Sequence, residues 1–526
     1  MGVEHRVYGG PGCGKTTYLA EQIARAVRKY GPAGVLVCSF SRAAASELVG
    51  RGLPVPRERV GTLHSLCRRA LGGDREIAEA SEKLAEWNDA AADGGWYVKP
   101  STYVKRSDDA SPDGDLFTAY GILRNQMVLR DHWPADVLAF ATAWEAWKSA
   151  QELIDFCDLI EFVWLDRIPC PYRTEVLFAD EAQDYSALEM AVVRQWGREA
   201  RFFVIAGDDQ QAIYGFRGAS SDAMMTPELE PSQVTILKQS YRLPSEILAY
   251  ASEYGRTMSR FVPKDIQPVK QGGDVMALDV RLRDSQFVDH VQAEAGAGRS
   301  VMILASCDYM LTPIVRSLKE EAVLFHNPYR PTYSAWNPCR GGVERVRQFL
   351  QVGNSPKWRT VWPWFEHLDA RATGMQSGAK KLVRDASSED GNETVTPEDF
   401  RALTGFDLPD PDPEWFFDRL LQTKLSMFGY AKTVIDSKGW DYLSEKPKVI
   451  VGTYHSVKGG EADVVFMFPD LSRNGADEYA RNPDSTTRMF YVGMTRARER
   501  LVVCSPSSAL HPGLPTRGIY VEPVTS

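Results

Sequence analysis

Gly9-Gly10-Pro11-Gly12-Cys13-Gly14-Lys15-Thr16-Thr17 decides how the rest of the sequence is read. It fits G-x-x-x-x-G-K-[ST], the loop that wraps the phosphates of a nucleotide. Glycines and a proline make a tight turn whose backbone N–H groups point inward, where a bulky side chain would keep oxygen atoms away. Lys15 brings a flexible positive charge for β- and γ-phosphates, and Thr16 brings a hydroxyl for Mg²⁺. Arg6-Val7-Tyr8 is β-prone, and Tyr18–Arg28 sets Leu19, Ile23 and Val27 on one helical side. The loop therefore joins a strand to a helix N-terminus, whose partial positive charge lies beneath the phosphates. A glycine-rich turn with no ligand is the weaker reading.

Outward from this loop the sequence alternates strand and helix patterns. Gly34–Phe40 is a buried-strand run, Ser41–Arg51 a helix, and Arg59-Val60 a short strand leading into Gly61-Thr62-Leu63-His64-Ser65. That alternation predicts a mostly parallel α/β sheet. By themselves Phe40 and His64 carry no signal, since a lone aromatic or histidine is ordinarily a packing residue. Glu175–Glu181 is an apolar run ending in two acids. It predicts a strand that delivers carboxylates to the edge holding the phosphate loop. Asp180 would hold Mg²⁺, and Glu181 would orient and deprotonate the attacking water. Two adjacent carboxylates on a buried strand are costly unless a cation neutralises them. Arg201–Gly207 is a further strand, followed by Asp208–Ala219, dense in acids, amides and aromatics. Thr235–Arg242 is expected to start a second α/β unit, which takes in Val301–Ala305, the paired runs of Val449–Phe468, and a helix and strand across Thr487–Cys504.

Two stretches break the pattern. From about Leu71 to Lys148 helical, alanine-rich segments flank a polar loop, Ala91–Asp115. There Lys99, Lys105 and Arg106 mix with Trp96, Tyr97 and Tyr103. Such a patch suits a strand backbone with stacked bases; a solvated loop whose aromatics tuck onto the neighbouring helices is the slightly stronger reading. Between Ser355 and Lys446, Trp358, Trp362, Trp364 and Phe365 precede a weakly apolar run, Ala372–Glu398, expected to be a mobile loop.

The 526 residues allow roughly three to four compact units. A net charge of −9 argues against a basic nucleic-acid coat, but leaves room for a local basic channel. The eight cysteines form no C-x-x-C pair, so reduced thiols and a cytoplasmic location are expected instead of a metal cluster. The sequence has no signal-peptide pattern and no run of about eighteen apolar residues to span a membrane.

In order along the chain, these stretches resemble the motifs of the UvrD/PcrA/Rep family of superfamily 1A DNA helicases. Gly9–Thr16 is similar to motif I, Ser39–Leu48 to motif Ia, Gly61–Leu66 to Ib, Asp180–Asp184 to II and Gly207–Ala219 to III. Leu237–Arg242 is similar to motif IV, Gly452–Val465 to V and Tyr491–Leu501 to VI. The resemblance implies two RecA-like parallel-sheet motor domains, each interrupted by a mostly helical insert: 1–70 with 150–231, insert 71–149, then 232–354 with 447–526, insert 355–446. It implies ATP and Mg²⁺ as cofactors, with Gly9, Gly10, Pro11, Gly12, Cys13, Gly14, Lys15, Thr16 and Thr17 around the phosphates.

It further implies that Gln211 contacts the γ-phosphate, Tyr241 stacks on adenine, Glu461 lies near the ribose, and Arg242 and Arg496 reach the γ-phosphate. Phe40, His64, Tyr214, Phe216, Arg217 and His455 fall on DNA-facing positions, and single-stranded DNA and its junctions with duplex are the implied partners. The implied activity is 3′–5′ translocation on one strand with unwinding of duplex DNA in replication, repair or recombination. An ATP-switched DNA-binding subunit of a repair or anti-phage assembly is the alternative; a small-molecule kinase leaves the paired arginines unexplained. The sequence departs from the family at Thr17, at Arg42-Ala43 and at Phe216. Eight residues before Gly9 leave no room for an upstream adenine-reading glutamine motif, and the second insert and the stretch after motif VI are short.

Overall fold

The computed structural model describes residues 2–40, 50, 52–98, 116–353, 355–515 and 520–522. Its strands are β1 (Val3–Gly9), β2 (Val35–Ser39), β3 (Val60–Thr62), β4 (Val176–Asp180), β5 (Phe202–Gly207), β6 (Val234–Leu237), β7 (Gln239–Pro244) and β8 (Gln267–Lys270). They continue with β9 (Asp274–Leu278), β10 (Val301–Ala305), β11 (Phe325–His326), β12 (Val449–Thr453), β13 (Ala462–Met467), β14 (Ala497–Cys504) and β15 (Tyr520–Glu522). The fold class is the expected one, α/β with parallel sheets of the RecA-like kind. The chain divides into two compact units, one of Met1–Ala277 with Pro469–Val503 and Ser508–Glu522, the other of Leu278–Phe468 with Cys504–Ser507.

In the first unit six strands pair in the order β3-β2-β4-β5-β1-β6. All pairings are parallel, with Ser39 opposite both Thr62 and Asp180, and Tyr8 opposite both Gly207 and Ile236. Parallel strands end on one side, so the segments after β1, β2, β3, β4 and β5 all emerge at a single edge. Val234–Leu237, where a second α/β unit was expected to open, thus lies beside β1 in this first sheet.

Side chains alternate between the faces, as the pleat requires. Val35, Val37, Val176 and Phe178 pack on one face with Leu19, Ile23 and Ala26. Leu36, Cys38, Leu177 and Ala179 pack on the other with Leu188, Val192 and Trp196. The helix Lys15–Tyr30 covers the first face through an i, i+4, i+7 stripe.

The helical segments Ser81–Ala90, Leu116–Asn125 and Ala135–Ala150 share a core of Trp87, Tyr120, Phe140 and Trp144. Trp96 packs against this core, its ring parallel to that of Trp87 at 6.4 Å, while Tyr97 is exposed. Lys99, Tyr103, Lys105 and Arg106 lie outside the described residues, as do Ser41–Val49 and Arg51 of the expected second helix. A buried network fixes the base of these helices: Arg124 pairs with Asp155 at 3.1 Å and Asp158 at 2.6 Å, and Lys148 reaches both acids.

In the second unit parallel strands run β11-β12-β10-β13. A separate core joins the helices Gly342–Leu350, Trp358–Phe365, Ala379–Glu389, Pro397–Thr404 and Leu425–Lys438. Ala372–Glu398, read from sequence as a loop, is therefore largely ordered as helix. Its apolar content is low because the helix Ala379–Glu389 meets the core through Ala379, Val383 and Ala386, at i, i+4 and i+7, with Met375 and Val395 on either side of it.

Candidate functional site

The phosphate loop leaves β1 at Gly9 and enters the helix at Lys15. Gly12 (φ 70°) and Gly14 (φ 72°) adopt the left-handed backbone that lets the loop curl over the helix N-terminus. A Cβ on Gly12 would lie 2.4 Å from Cβ of Arg242, and one on Gly10 would lie 2.0 Å from Cδ1 of Ile266. The helix has no side-chain cap at Gly14, and Lys15 Nζ donates to its own loop carbonyl, Gly9 O, at 2.8 Å. Uncapped N–H groups, a lysine turned into the loop and a wall of glycine together fit a polyphosphate.

Tyr241 and Arg242 arrive on β7, which is tied to this loop. Tyr241 N donates to Gly12 O at 3.0 Å, and Ser240 Oγ donates to Pro11 O at 2.8 Å. The Tyr241 ring is 57% exposed and approaches Gly14, leaving a free aromatic face beside the loop.

Asp180 ends β4 and is buried; its Oδ1 accepts from Glu181 N at 2.9 Å. Glu181 itself sits in the left-handed region (φ 53°), a conformation that costs a non-glycine residue about 1 kcal/mol or more and redirects its side chain. Gln183, fully buried, holds that carboxylate through Nε2 at 2.5 Å and accepts from Asp208 N through Oε1 at 3.0 Å. No cluster of three or more His, Cys, Asp or Glu side chains among the described residues would hold a metal by itself. Thr16, at the start of the helix after the loop, and Asp180, at the end of β4, carry the hard oxygen donors Mg²⁺ takes alongside waters and phosphate oxygens.

After β5, Gln211 occupies the centre of a buried chain of contacts. Its Nε2 donates to Asp208 Oδ2 at 2.5 Å, and its Oε1 accepts from Arg496 Nη2 at 2.9 Å. Arg496, two residues past the helix Pro483–Met494, is 1% exposed and also donates from Nε to Val492 O inside that helix at 2.8 Å. Burial would raise the Asp208 carboxyl, but the charges of Lys264 and Lys15 and the Gln211 hydrogen bond outweigh it and hold it below the usual range. Lys264 pairs with Asp208 at 3.1 Å and Asp209 at 2.7 Å. Sequence reasoning missed this lysine, and Gln183 within the motif II stretch; the one available signal was that Asp208-Asp209 on a buried turn needs a cation.

The aromatic side of the edge lies past β2 and β3. Phe40 stacks with Tyr214 at 5.3 Å, Arg217 covers the Phe40 ring at 5.4 Å, and Phe216 meets Tyr214 edge-on at 6.0 Å. His64 lies 3.6 Å from Glu189 and against Phe156. Burial holds the His64 imidazole below its usual range despite Glu189, so near neutral pH it contributes a neutral ring, not a charge.

Lys15, Asp180, Glu181, Gln211, Tyr241, Arg242 and Arg496 are thus gathered around one loop, and Phe40, His64, Tyr214, Phe216 and Arg217 along the same edge. Glu461 and His455 belong to the second unit. Glu461 immediately precedes β13, and His455 is in the turn after β12, both half-buried.

Residues 4–217 match the family model described as an AAA domain, and residues 448–504 match the UvrD-like helicase C-terminal domain. The chain is 26% identical over 315 residues to the ATP-dependent DNA helicase PcrA of Staphylococcus epidermidis, which covers 55% of this chain and 43% of that protein. It is 25% identical over 299 residues to the protein of that name from Staphylococcus aureus, covering 51% and 40%. The chain thus spans about two fifths of the length of the curated relatives it matches. Among the described residues no helix is long and apolar enough to cross a membrane. With a phosphate loop at one end of these matches and a UvrD-like C-terminal domain at the other, the chain belongs to the UvrD/PcrA-like family of superfamily 1 helicases.

Proposed function

We propose that the protein is an ATP-dependent motor on single-stranded DNA that moves 3′ to 5′ and separates duplex ahead of it. The observation that carries this reading is the convergence of Arg242, at Gly12, and Arg496, on Gln211, beside a lysine-bearing phosphate loop, with ring-lined Phe40, Tyr214 and Phe216 at the same sheet edge. Lys15, Arg242 and Arg496 bind the terminal phosphate, Tyr241 stacks on the base, and Glu181 takes the proton of the attacking water. Thr16 and Asp180 hold Mg²⁺, which supplies charge neutralisation between the phosphates. With the terminal phosphate gone, the arginines lose their shared anion and fall back on protein acceptors such as Gln211 and Val492.

Bases stacked on Phe216 and Tyr214 at about 1–3 kcal/mol each are held firmly enough to grip and weakly enough to release. Glu461 near the ribose and His455 on the strand complete the assignment. The domain reading that goes with it keeps two RecA-like motor halves, 1–70 with 150–231 and 232–354 with 447–526, carrying inserts 71–149 and 355–446, except that Val234–Leu237 pairs with β1 and belongs with the first half. A cytoplasmic location suits a chain whose cysteines are read as free thiols.

The test is ATP hydrolysis and strand separation measured side by side on 3′-tailed, 5′-tailed and blunt duplexes. The expected result is activity on the 3′-tailed substrate above the other two. Equal response to all three would remove the polarity, and hydrolysis indifferent to every DNA would remove the motor.

A further inference from the structure

We propose that Lys264 is a positioning residue of the nucleotide site, whose buried ammonium clamps Asp208 and Asp209 so that Gln211 turns its amide oxygen toward Arg496. This rests on the reading of Gln211 and Arg496 as groups that meet the terminal phosphate. The Lys264 side chain is 1% exposed and Asp208 and Asp209 are 0% exposed, so three charges share a site without water. The ammonium lies 3.1 Å from Asp208 Oδ1, 2.7 Å from Asp209 Oδ1, and 3.2 Å from both Gln210 Oε1 and Val262 O. Burial works against its charge, but the two carboxylates outweigh that and keep it above the ordinary lysine range.

The orientation of Gln211 follows from this clamp. An amide presents N–H donors on one side and a carbonyl oxygen on the other. With Asp208 ionised and pinned by Lys264, its Oδ2 demands the Gln211 NH₂, so the carbonyl oxygen must face the other way, toward the Arg496 guanidinium. A flipped Gln211 would set oxygen against carboxylate and N–H against guanidinium at once.

The chain around Lys264 links this clamp to the rest of the site. Val262 N donates to Asp209 Oδ2 at 2.9 Å, and Ile266 presses on Gly10 of the phosphate loop. The next residues form β8, which pairs with β7 carrying Tyr241 and Arg242. One short segment therefore touches the phosphate loop, the sensor amide and the ribbon that supplies an arginine. Its lysine is a strut between them.

The test uses the full chain without DNA, with ADP and a non-hydrolysable ATP analogue as probes in fluorescence titrations. Thermal midpoints are read in parallel. Lys264→Met is expected to cut the preference for triphosphate over diphosphate by about 10- to 100-fold, the size seen when outer-shell partners of a site are lost. Adding Lys264→Met to Gln211→Ala should change nothing further, because both act through one amide. The double variant Lys264→Met/Asp209→Asn keeps the net charge of the cluster; it should recover the thermal midpoint but not the triphosphate preference. Recovery of that preference would overturn the proposal in favour of simple charge neutralisation. Failure of this double variant to fold would overturn it too, making Lys264 part of the scaffold, and so would additive effects with Gln211→Ala. Lys15→Ala separates the two levels: if it retains binding of the analogue, the nucleotide-site reading falls. If Lys15→Ala loses that binding while Lys264→Met keeps its preference, only the role of Lys264 falls.

Discussion

At the edge of the first sheet Asp180, Asp208, Asp209, Lys264 and Arg496 are all buried, whereas the helical core of the second unit buries Trp358, Trp364, Phe365, Phe400, Phe416 and Phe428. Among the described residues between 342 and 443 no Asp, Glu, Lys or Arg is buried. Rings in that core stack or meet edge to face, as with Phe349 and Phe416 stacked at 4.8 Å between centroids and Phe349 edge-on to Trp364 at 5.1 Å, and stabilise by area and ring contact. The sheet edge is held by paired charges whose desolvation offsets most of their attraction. Burying charge is a poor way to stabilise a fold, but it fixes orientation, as the Arg124–Asp155–Asp158–Lys148 network does for its helices and the Lys264–Asp208–Asp209 cluster does for Gln211. The first region is arranged for chemistry and the second for stability.

Mutations should separate the two accordingly. Glu181→Gln should lower ATP hydrolysis by about 10²- to 10⁴-fold, as expected for loss of a general base, while the thermal midpoint holds. A matching loss of stability would blur the contrast. Trp364→Ala should do the reverse, costing about 3–5 kcal/mol in denaturant unfolding of the second unit with nucleotide affinity unchanged.

A pH series sharpens the same contrast with a smaller effect. Arg345 Nε donates to His367 Nε2 at 2.9 Å, so the imidazole is an acceptor and neutral. Burial, then the charges of Arg345, Lys424 and Lys380, push it down to about 4. The unfolded histidine titrates near 6.5, so between pH 6.5 and about 4 the unfolded chain binds a proton that the folded one does not. Stability should be complete above pH 6.5 and fall with decreasing pH by up to about 1.4 kcal/mol per pH unit. His367→Gln should flatten that slope, and an unchanged slope would refute the assignment. The smallest effect is expected at Phe216→Ala, which should weaken single-strand binding by about 1–3 kcal/mol while ATP hydrolysis at saturating DNA persists. Unimpaired strand separation by this variant would make Phe216 a packing residue.

Much of the site was legible because its chemistry is contiguous in sequence. Lys15 and Thr16 follow their glycines directly, and Asp180-Glu181 end an apolar run that reads as a buried strand. Phe40 and His64 were silent until the motif order gave them meaning, and the parallel sheet explains why: each follows a strand that ends at the phosphate-loop edge. Lys264 was illegible, since nothing in Phe261–Ile266 announces that its lysine will meet acids from β5's far end. The helices of Ala372–Glu398 were hidden for a different reason, because three small apolar contacts suffice for a helix that rests on a core built by others. The leaving point of the first sheet was misplaced at Thr235 because a β-run beside β1 reads the same whether it closes one sheet or opens the next.

The most direct measurement of the central claim, that Lys15, Gln211, Arg242 and Arg496 form one polyphosphate site coupled to a DNA strand, is steady-state ATP hydrolysis with and without single-stranded DNA. It should be run on the native chain and on Lys15→Ala. The account predicts that DNA stimulates the native chain and that Lys15→Ala is inactive under both conditions. Hydrolysis indifferent to DNA, or unchanged by Lys15→Ala, would contradict it.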